Sequence, residues 1–369
     1  MIYCRLNVFK TYQALARCIN DNPAYQDRFP NFSSTRKPIL AKGSHGPLQG
    51  ELHSAQYFHG RQVDTLYLHL SNRRKTNRDG LGGISERHPD LNVPSEIMSE
   101  DHPYLRLTDK PGVDVALDLI RSYPPRSIVY IALGPLTNLA HTIRKDGDLF
   151  RANIGRVVCM GGALDVPGNT TPVAEFNFFA DPYAVKELVL SLDPQSRLPL
   201  DRFLLLPLDI TTPHELSFRT YTEVIDQSFN STAIPSSPWG KSPMVHFTSS
   251  FLERTREIMV SFGKDAMELH DIVAVCTGEL TRGMLVVDRR EDESAYSPGA
   301  NRAKIQAELE KNNVPHGIWE SSALPAQVET EEAMKARPPL GVICVTETPG
   351  ADVLLSFLFR RVWGVEWSA

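Results

Sequence analysis

The sequence has no long basic run and no long apolar run, and each shortage excludes a class of protein. Its longest basic run is Arg73-Arg74-Lys75, and 39 lysines and arginines stand against 44 aspartates and glutamates, for a net charge of −5. Because nucleic-acid binders carry a basic surface for the phosphates, we expect no nucleic-acid partner. No apolar run approaches the roughly 20 residues of a membrane-spanning helix, so we expect no membrane association.

Cysteines are also scarce. Their number, the N-terminal residues and the chain length indicate the cellular compartment and the domain organisation. The five cysteines are odd in number and scattered, without Cys-x-x-Cys or Cys/His metal spacing, which favours a reducing compartment. Residues 1–10 lack the apolar core of a signal peptide, so we predict a cytoplasmic protein. The 369 residues suit one large α/β domain or two modest ones, and we predict a single domain over residues 1–369.

The chain alternates short apolar runs with amphipathic segments. The predicted strands are residues 37–41, 127–133, 157–160, 202–208, 283–287 and 341–345. The predicted helices are residues 7–20, 113–120, a helix that follows residues 134–138 and ends at 143, and residues 181–190, 244–260, 271–280 and 353–362. Fully apolar strands that alternate with helices form parallel βαβ units, so the predicted fold class is α/β, with helices flanking a mostly parallel sheet. Residues 288–338 are polar, and we interpret them as a long excursion or a partly disordered loop.

The stretch from residue 156 to residue 182 is typical of a pocket wall. An apolar run ends at Gly161-Gly162, and polar side chains follow at Asn169, Glu175 and Asn177, with Phe176 between them. Ligands of open α/β sheets bind at the carboxyl ends of the strands, where these residues are predicted to lie. The competing interpretation is an ordinary surface loop, which the composition alone does not exclude.

Two other predicted element boundaries carry polar groups. Thr137 follows the strand 127–133, where its oxygens could meet a hard cation. His270-Asp271 opens the helix 271–280, where the aspartate could simply cap the helix and the histidine could be a satisfied buried imidazole. Taken alone, each of these signals is weak.

Taken together, the motifs resemble those of the inosine–uridine-preferring nucleoside hydrolases, and of fungal members in particular. The matching segments are IALGPLTNLA at 131–140, MGG at 160–162, PGN at 167–169, AEFN at 174–177, DP at 181–182, PLDIT at 207–211, LHD at 269–271 and TRG at 281–283. The resemblance implies an open, mostly parallel Rossmann-like sheet and hydrolysis of the N-glycosidic bond of ribonucleosides to free base and ribose. The substrate is then a ribonucleoside.

The resemblance also implies roles for individual residues. A Ca²⁺ ion would be bound by carboxylates of an N-terminal D-x-D-x-x-x-D-D signature, by the carbonyl oxygen of Thr137 and by the carboxylate of Asp271, all hard oxygen donors. His270 would protonate the leaving base. The residues implied in substrate binding are Asn7, Met160, Asn169, Glu175, Phe176 and Asn177.

The chain departs from the family at its N-terminal signature. No D-x-D-x-x-x-D-D occurs in it, so we predict that the first strand of the fold is missing, that the chain is N-terminally truncated and that activity is impaired or absent. Two interpretations stay open: a ribonucleoside hydrolase, or an inactive relative that binds ribose or nucleoside or serves as a silent subunit. A dinucleotide-binding oxidoreductase is disfavoured, because no Gly-x-Gly-x-x-Gly opens a helix after a strand.

A second departure is the cationic segment 61–78, which separates His59-Gly60 from Asp79-Gly80-Leu81-Gly82-Gly83. We interpret it as an insertion, either a translated intron or a genuine surface loop, and the glycine cluster as a tight turn with no helix directly after it. The preference for one base over another depends on side chains in loops. The candidates lie in residues 235–251, where His246 is the one imidazole. The family resemblance further implies a homodimer or homotetramer.

Overall fold

A computed structural model describes residues 2–53, 81–98, 101–191, 193–280, 286–290 and 342–368. The predicted insertion at 61–78 and nearly all of the predicted excursion at 288–338 lie outside these residues. No helix in the described ranges is both long and apolar enough to cross a membrane.

Strands and helices alternate through the described chain. The strands are β1 (Ile39–Lys42), β2 (Arg106–Pro111), β3 (Ile128–Ala132), β4 (Ile154–Met160), β5 (Phe203–Leu206), β6 (Glu215–Ser217), β7 (Ala266–Glu268), β8 (Val286–Arg290) and β9 (Val342–Glu347). The α-helices are α1 (Ile2–Asp21), α2 (Ile84–Arg87), α3 (Gly112–Ser122), α4 (Thr137–Asn153), α5 (Phe176–Ala180), α6 (Pro182–Val185), α7 (Leu208–Thr211), α8 (Phe218–Val224), α9 (Pro243–Ser261), α10 (His270–Leu280) and α11 (Ala351–Leu358). Single π-helical turns extend α6 over Lys186–Leu190 and α11 over Phe359–Trp363.

The main sheet has five strands in the order β3-β4-β5-β9-β8, parallel except for β8, which runs antiparallel to β9. Side chains of β4 alternate between two faces, and both faces are buried. Val158 and Met160 join the apolar core formed with α8 and α10, while Val157 and Cys159 join the core formed with α4 and α6. The predicted α/β class with a mostly parallel sheet is therefore confirmed.

A second, two-stranded sheet pairs β1 with β2 in parallel. In the described residues β1 pairs only with β2, and β3 pairs only with β4, so each strand has an edge without a described partner. The two sheets approach each other beyond the carboxyl ends of these strands, where the Ser44 amide donates to Asn138 Oδ1 over 2.7 Å. The loop after β1 is thereby fixed against the first turn of α4.

Three local predictions need correction. Strand β2 was not predicted, because its sequence RLTDKP is polar and mostly exposed; its pairing with β1 gives it strand geometry. A helical turn, α2, does follow Gly83 directly, although the sequence was interpreted as lacking one. Residues 288–290 belong to β8 rather than to the excursion, so the strand predicted to end at residue 287 continues to Arg290, while residues 283–285 lie outside the described residues.

Candidate functional site

The site is organised around the glycine turn that ends β4. Gly162 has φ of +80°, a left-handed conformation that favours glycine. At Gly161 a β-carbon would lie 2.6 Å from the ring of Phe178, so only glycine lets this ring approach the backbone. The turn is tied to β5 and α7, since Gly161 donates to Leu206 O over 3.2 Å and Leu208 donates to Gly162 O over 2.9 Å.

A buried carboxylate faces this turn. Glu175 is only 2% exposed and caps α5, with Oε1 accepting from the Asn177 amide at 2.8 Å. Its Oε2 accepts from the amides of Gly162 at 2.9 Å and Phe178 at 3.1 Å. Burial raises the pKa of Glu175, and the three amide hydrogen bonds and the nearby His270 oppose that rise. An ionised carboxylate has about four acceptor positions, so one remains for a ligand hydroxyl.

The other polar residues predicted in this stretch fall into a buried and an exposed group. Asn177 is buried, and its Nδ2 donates to Met160 O at 3.1 Å. Asn169 is exposed, and its Oδ1 accepts from the Phe176 amide at 2.9 Å. Asn169 thus lies at the surface, while Asn177 points into the strand end and is fixed there, and the binding roles of both residues stay predictions.

His270 opens α10 and lies between two partners. Its Nε2 is 3.0 Å from Glu268 Oε2, and its Nδ1 is 2.8 Å from Thr211 Oγ1. An ionised carboxylate only accepts hydrogen bonds, so Nε2 carries a proton. The hydroxyl of Thr211 also lies 3.2 Å from the Pro207 carbonyl, and its single proton serves either that carbonyl or Nδ1 of His270. The surroundings thus satisfy both the protonated and the neutral imidazole.

The partner Glu268 is held ionised by two cations. The hydrogen bond from His270 is the largest cause that lowers the pKa of Glu268 to about 2, and Lys264, at 2.6 Å, contributes further. Lys264 also pairs with Glu215 at 2.6 Å. This carboxylate therefore orients His270 across the whole neutral range of pH.

Glu268→Gln is expected to lower the free energy of unfolding at about pH 7 by about 2 kcal/mol, after allowance for solvent screening at this partly exposed site. The folded pKa lies below the unfolded value, so the stabilisation is present above about pH 4.5 and is lost as the pH falls toward 2. The free energies from urea unfolding of the two proteins should therefore differ at about pH 7 and converge only as the pH falls toward about 2. Glu223→Gln, in an exposed pair with Arg219, is the matched control and should show little difference at either pH. An equal gap at both pH values would contradict this assignment.

The carboxylate and the histidine lie at the same end of the sheet. Glu175 binds the amide of Gly162, Gly162 O binds Leu208 of α7, and Thr211 at the end of α7 binds His270. The charge of His270 lowers the pKa of Glu175, as proximity requires. Of the predicted residues, the structure thus brings together Met160, Glu175, Asn177 and His270.

The two predicted metal ligands lie at helix starts nearby. Thr137 is buried at the start of α4, and its hydroxyl donates to Asp181 Oδ2 at 2.5 Å. Asp271 is solvent-accessible, yet desolvation by the surrounding protein raises the pKa of its carboxyl. The exposure and the desolvation of Asp271 both fit a side chain in a concavity that is open to water but surrounded by protein.

Asp181→Ala is expected to lower the free energy of unfolding by about 3 kcal/mol, because it leaves several buried donors without an acceptor. Asp181 is fully buried and accepts from Thr137 Oγ1, from the Leu48 amide at 2.8 Å and from the Ala184 amide at 3.1 Å. The exposed Asp193, which accepts from the Gln195 amide and Ser196 Oγ in a similar cap, is the control. Chemical denaturation checks the result, and equal destabilisation by Asp193→Ala would count against the role of burial.

Two predicted candidates lie on helices that pack against each other. Asn7 lies in α1, where its carbonyl accepts from Thr11 Oγ1 at 2.9 Å, and its role in ribose binding stays a prediction. His246 lies in α9 and is buried, with Nε2 at 2.8 Å from Asp90 Oδ2. His88, Asp90 and His246 form the one group of three histidine, cysteine or acidic side chains, in the part of the chain described, that could hold a metal ion.

Sequence reasoning did not assign roles to Glu268, Thr211, Asp181 and Asp209. Asp209 accepts from the amides of Leu164 and Asp165, so it fixes the loop that follows the glycine turn. In the sequence, these four residues stand out only as polar residues near the ends of predicted helices or strands. Such residues are common at caps, and the contact with His270 links Thr211 across 59 positions of the chain.

The sequence matches the family model described as inosine-uridine preferring nucleoside hydrolase over residues 29–315. A probable uridine nucleosidase 2 of Oryza sativa is 32% identical over 148 residues, which is 39% of this chain and 34% of that protein. An inosine-uridine preferring nucleoside hydrolase of Leishmania major is 39% identical over 145 residues, 39% of this chain and 36% of that protein. The matched segment thus spans about a third of the length of these curated relatives.

Solved structures share the fold. A plant nucleoside hydrolase superposes with a TM-score of 0.51 at 19% identity, covering 88% of this chain and 80% of that one. At this level of identity the likeness concerns the fold alone. It agrees with the α/β architecture and its parallel sheet.

Proposed function

The chain belongs to the family of inosine-uridine preferring nucleoside hydrolases, and from this premise we propose that it hydrolyses the N-glycosidic bond of ribonucleosides to give free base and ribose. The family assignment carries the reaction class. The proposal adds which residues of this chain perform it, and it rests on the geometry at the strand end.

One observation carries the proposal: a histidine whose surroundings satisfy both protonation states lies at the same strand end as a buried carboxylate. Breaking a glycosidic bond to a base needs a proton for the leaving nitrogen and support for the cationic sugar that develops. His270 supplies the first requirement and Glu175 supplies negative charge for the second. Both are fixed by hydrogen bonds before any substrate arrives.

His270 acts as the acid. The ionised Glu268 holds Nε2–H in place, so the proton available to the base is the one on Nδ1. Its transfer breaks the Nδ1–H bond and forms an N–H bond on the leaving base. The Thr211 hydroxyl can then turn from the Pro207 carbonyl to the lone pair left on Nδ1, so that no buried nitrogen is left unpaired.

Glu175 and Asn177 grip the ribose. Three amides occupy Glu175, so its remaining acceptor position takes a single ribose hydroxyl. Asn177 commits its Nδ2 to Met160, which leaves Oδ1 as acceptor for a neighbouring hydroxyl. Met160 and Phe176 border the sugar, and Asn169 fixes the Phe176 amide from outside.

The described residues offer too few ligands for the predicted Ca²⁺ ion. Calcium takes six to eight oxygen ligands, and those residues offer the carbonyl of Thr137 and the carboxylate of Asp271. These two groups do not make a calcium site by themselves, and no step of the mechanism above depends on an ion.

This ligand shortage favours a second candidate, an inactive relative that binds nucleosides without hydrolysing them. The hydrolase and the inactive relative would bind ribose through the same residues, and only the hydrolase would turn the nucleoside over. Membership of a homodimer or homotetramer, a cytoplasmic location and a place in nucleoside salvage remain predictions.

Release of free base from inosine and uridine, measured by chromatography with added calcium and with chelator, tests the proposal. Hydrolysis is expected with at least one of the two nucleosides. Dependence on calcium would place further ligands outside the described residues, while release in chelator would leave the residues above as the machinery. Absence of release under both conditions contradicts the proposal and favours the binding protein.

A further inference from the structure

A group of two histidines and one aspartate lies apart from the strand-end site. His88 follows α2, Asp90 lies in the 3₁₀ turn Pro89–Leu91, and His246 lies in the second turn of α9. One ring nitrogen of each histidine and one carboxylate oxygen of Asp90 lie within 4.8 Å of one another. The two rings meet edge to face, with centroids 5.6 Å apart.

Each histidine of this group is oriented by a carboxylate. His246 Nε2 lies 2.8 Å from Asp90 Oδ2, and His88 Nε2 lies 3.0 Å from Glu253 Oε2. Glu253 accepts the Nε2–H of His88, which leaves the lone pair of that ring on Nδ1. Metal-binding histidines commonly show this arrangement, in which the second ring nitrogen is held by a carboxylate. In His246 the nitrogen beside Asp90 is Nε2, so this nitrogen and Asp90 Oδ2 are the pair that can bind one ion.

The lone pair on His246 has no partner. His246 is 3% exposed, and its Nδ1 is buried without a hydrogen bond. Nδ1 points away from Asp90 Oδ2, so an ion shared with Asp90 is bound through Nε2, and the unpaired Nδ1 is free to take the ring proton when the ion binds.

The surroundings suit a cation that enters from solvent. His88 and Glu253 are almost fully buried, while the side chain of Asp90 is 48% exposed and offers both an entry path and room for a water ligand. Arg87 pairs with Glu253 and Lys241 pairs with Asp226, so the nearby cations already have carboxylate partners. Asp90 then contributes a net negative charge to the group.

We propose that His88, Asp90 and His246 bind a transition-metal ion of the Zn²⁺ class. Two imidazoles and one carboxylate match the ligand preferences of zinc, cobalt and nickel, whereas calcium and magnesium favour oxygen donors. Bonds of about 2.1 Å place tetrahedral ligands about 3.4 Å apart, so the group contracts slightly on binding. The proton between His246 and Asp90 is released or moves to the other ring nitrogen as the ion binds.

The ion would fix the segment 81–98 to α9. His88 and Asp90 stand more than 150 positions from His246, and α1 already holds this segment through Lys10, which donates to Ser85 Oγ and Asn92 Oδ1. A bound ion adds a cross-link that the unfolded chain lacks. Metal should therefore raise the midpoint of thermal unfolding.

Titration of the full chain with Co²⁺, without a histidine tag and after chelator treatment, tests the site. Visible d–d absorption from nitrogen ligation is expected to saturate at about one ion per chain, to be displaced by Zn²⁺ and to be unchanged by excess Ca²⁺. Asp90→Asn should weaken Co²⁺ binding about tenfold or more, while the exposed His45→Ala should leave it unchanged. Asp90 is half-exposed, so circular dichroism should show its variant folded.

Absence of saturable Co²⁺ absorption in the wild-type chain would overturn the proposal. Equal affinity of wild type and Asp90→Asn would also overturn it. His246→Ala gives a second check, since loss of absorption in a variant that still unfolds cooperatively supports ligation by that ring. Persistence of the full band in that variant would contradict the site.

Discussion

Replacement of His270 by alanine is expected to lower ribonucleoside hydrolysis by about 10²- to 10⁴-fold, the range for loss of a general acid. His270 is the imidazole at the strand end, with Thr211 and Glu268 on its two nitrogens. The loss should appear in kcat, because the proton is needed as the bond breaks and not when the nucleoside binds. Steady-state kinetics with uridine and inosine measure it.

The control for this prediction separates acid catalysis from folding. Glu268→Gln keeps the ring and a hydrogen-bond acceptor but removes the carboxylate that orients the ring. It should therefore lower kcat less than His270→Ala. A His270→Ala variant that retains full kcat would show that another group protonates the base.

Replacement of Glu175 by alanine is expected to weaken nucleoside binding by about 10- to 100-fold and to destabilise the fold by about 2–4 kcal/mol. The substitution removes the acceptor of three buried amides and, in our proposal, of one ribose hydroxyl. Calorimetric titration with uridine and urea unfolding measure the two effects separately. A stable variant with unchanged affinity would contradict both roles.

Glu175→Gln isolates the charge, and its effect on stability depends on pH. The pKa of Glu175 is raised in the folded protein, so its stabilisation is complete below the unfolded value of 4.5 and is lost as the pH rises through the folded pKa. The glutamine variant cannot titrate, so this loss should be missing from its pH–stability curve. A curve parallel to that of the wild type would show that Glu175 is not desolvated.

Sequence patterns predicted the central elements because those elements follow local rules. The apolar run before Gly161-Gly162 is a buried strand with a turn, and α1, α9 and α10 lie within a few residues of their predicted bounds. Strand β2 was not predicted, because its sequence is polar and its strand geometry depends on pairing with β1. A single helical turn such as α2 is too short to show periodicity.

The site was predicted by motif and completed by contacts that no local pattern encodes. The motif residues Glu175 and His270 do lie together, because α7, which is bonded to the glycine turn after β4, brings Thr211 to His270. The carboxylate of Glu175 accepts hydrogen bonds mainly from backbone amides. This is a consequence of its burial, which the spacing of residues in the sequence does not reveal. The pairing of His246 with Asp90 joins residues 156 positions apart and moves His246 from a loop candidate to a buried metal-site candidate.

The most direct measurement follows binding and base release of inosine and of uridine in the same sample, for the wild type and for His270→Ala. Our account predicts that both proteins bind at least one of these nucleosides with similar affinity and that only the wild type releases its base at an appreciable rate. Binding by both proteins with no release by either would contradict the hydrolase account and assign the chain to nucleoside binding without turnover.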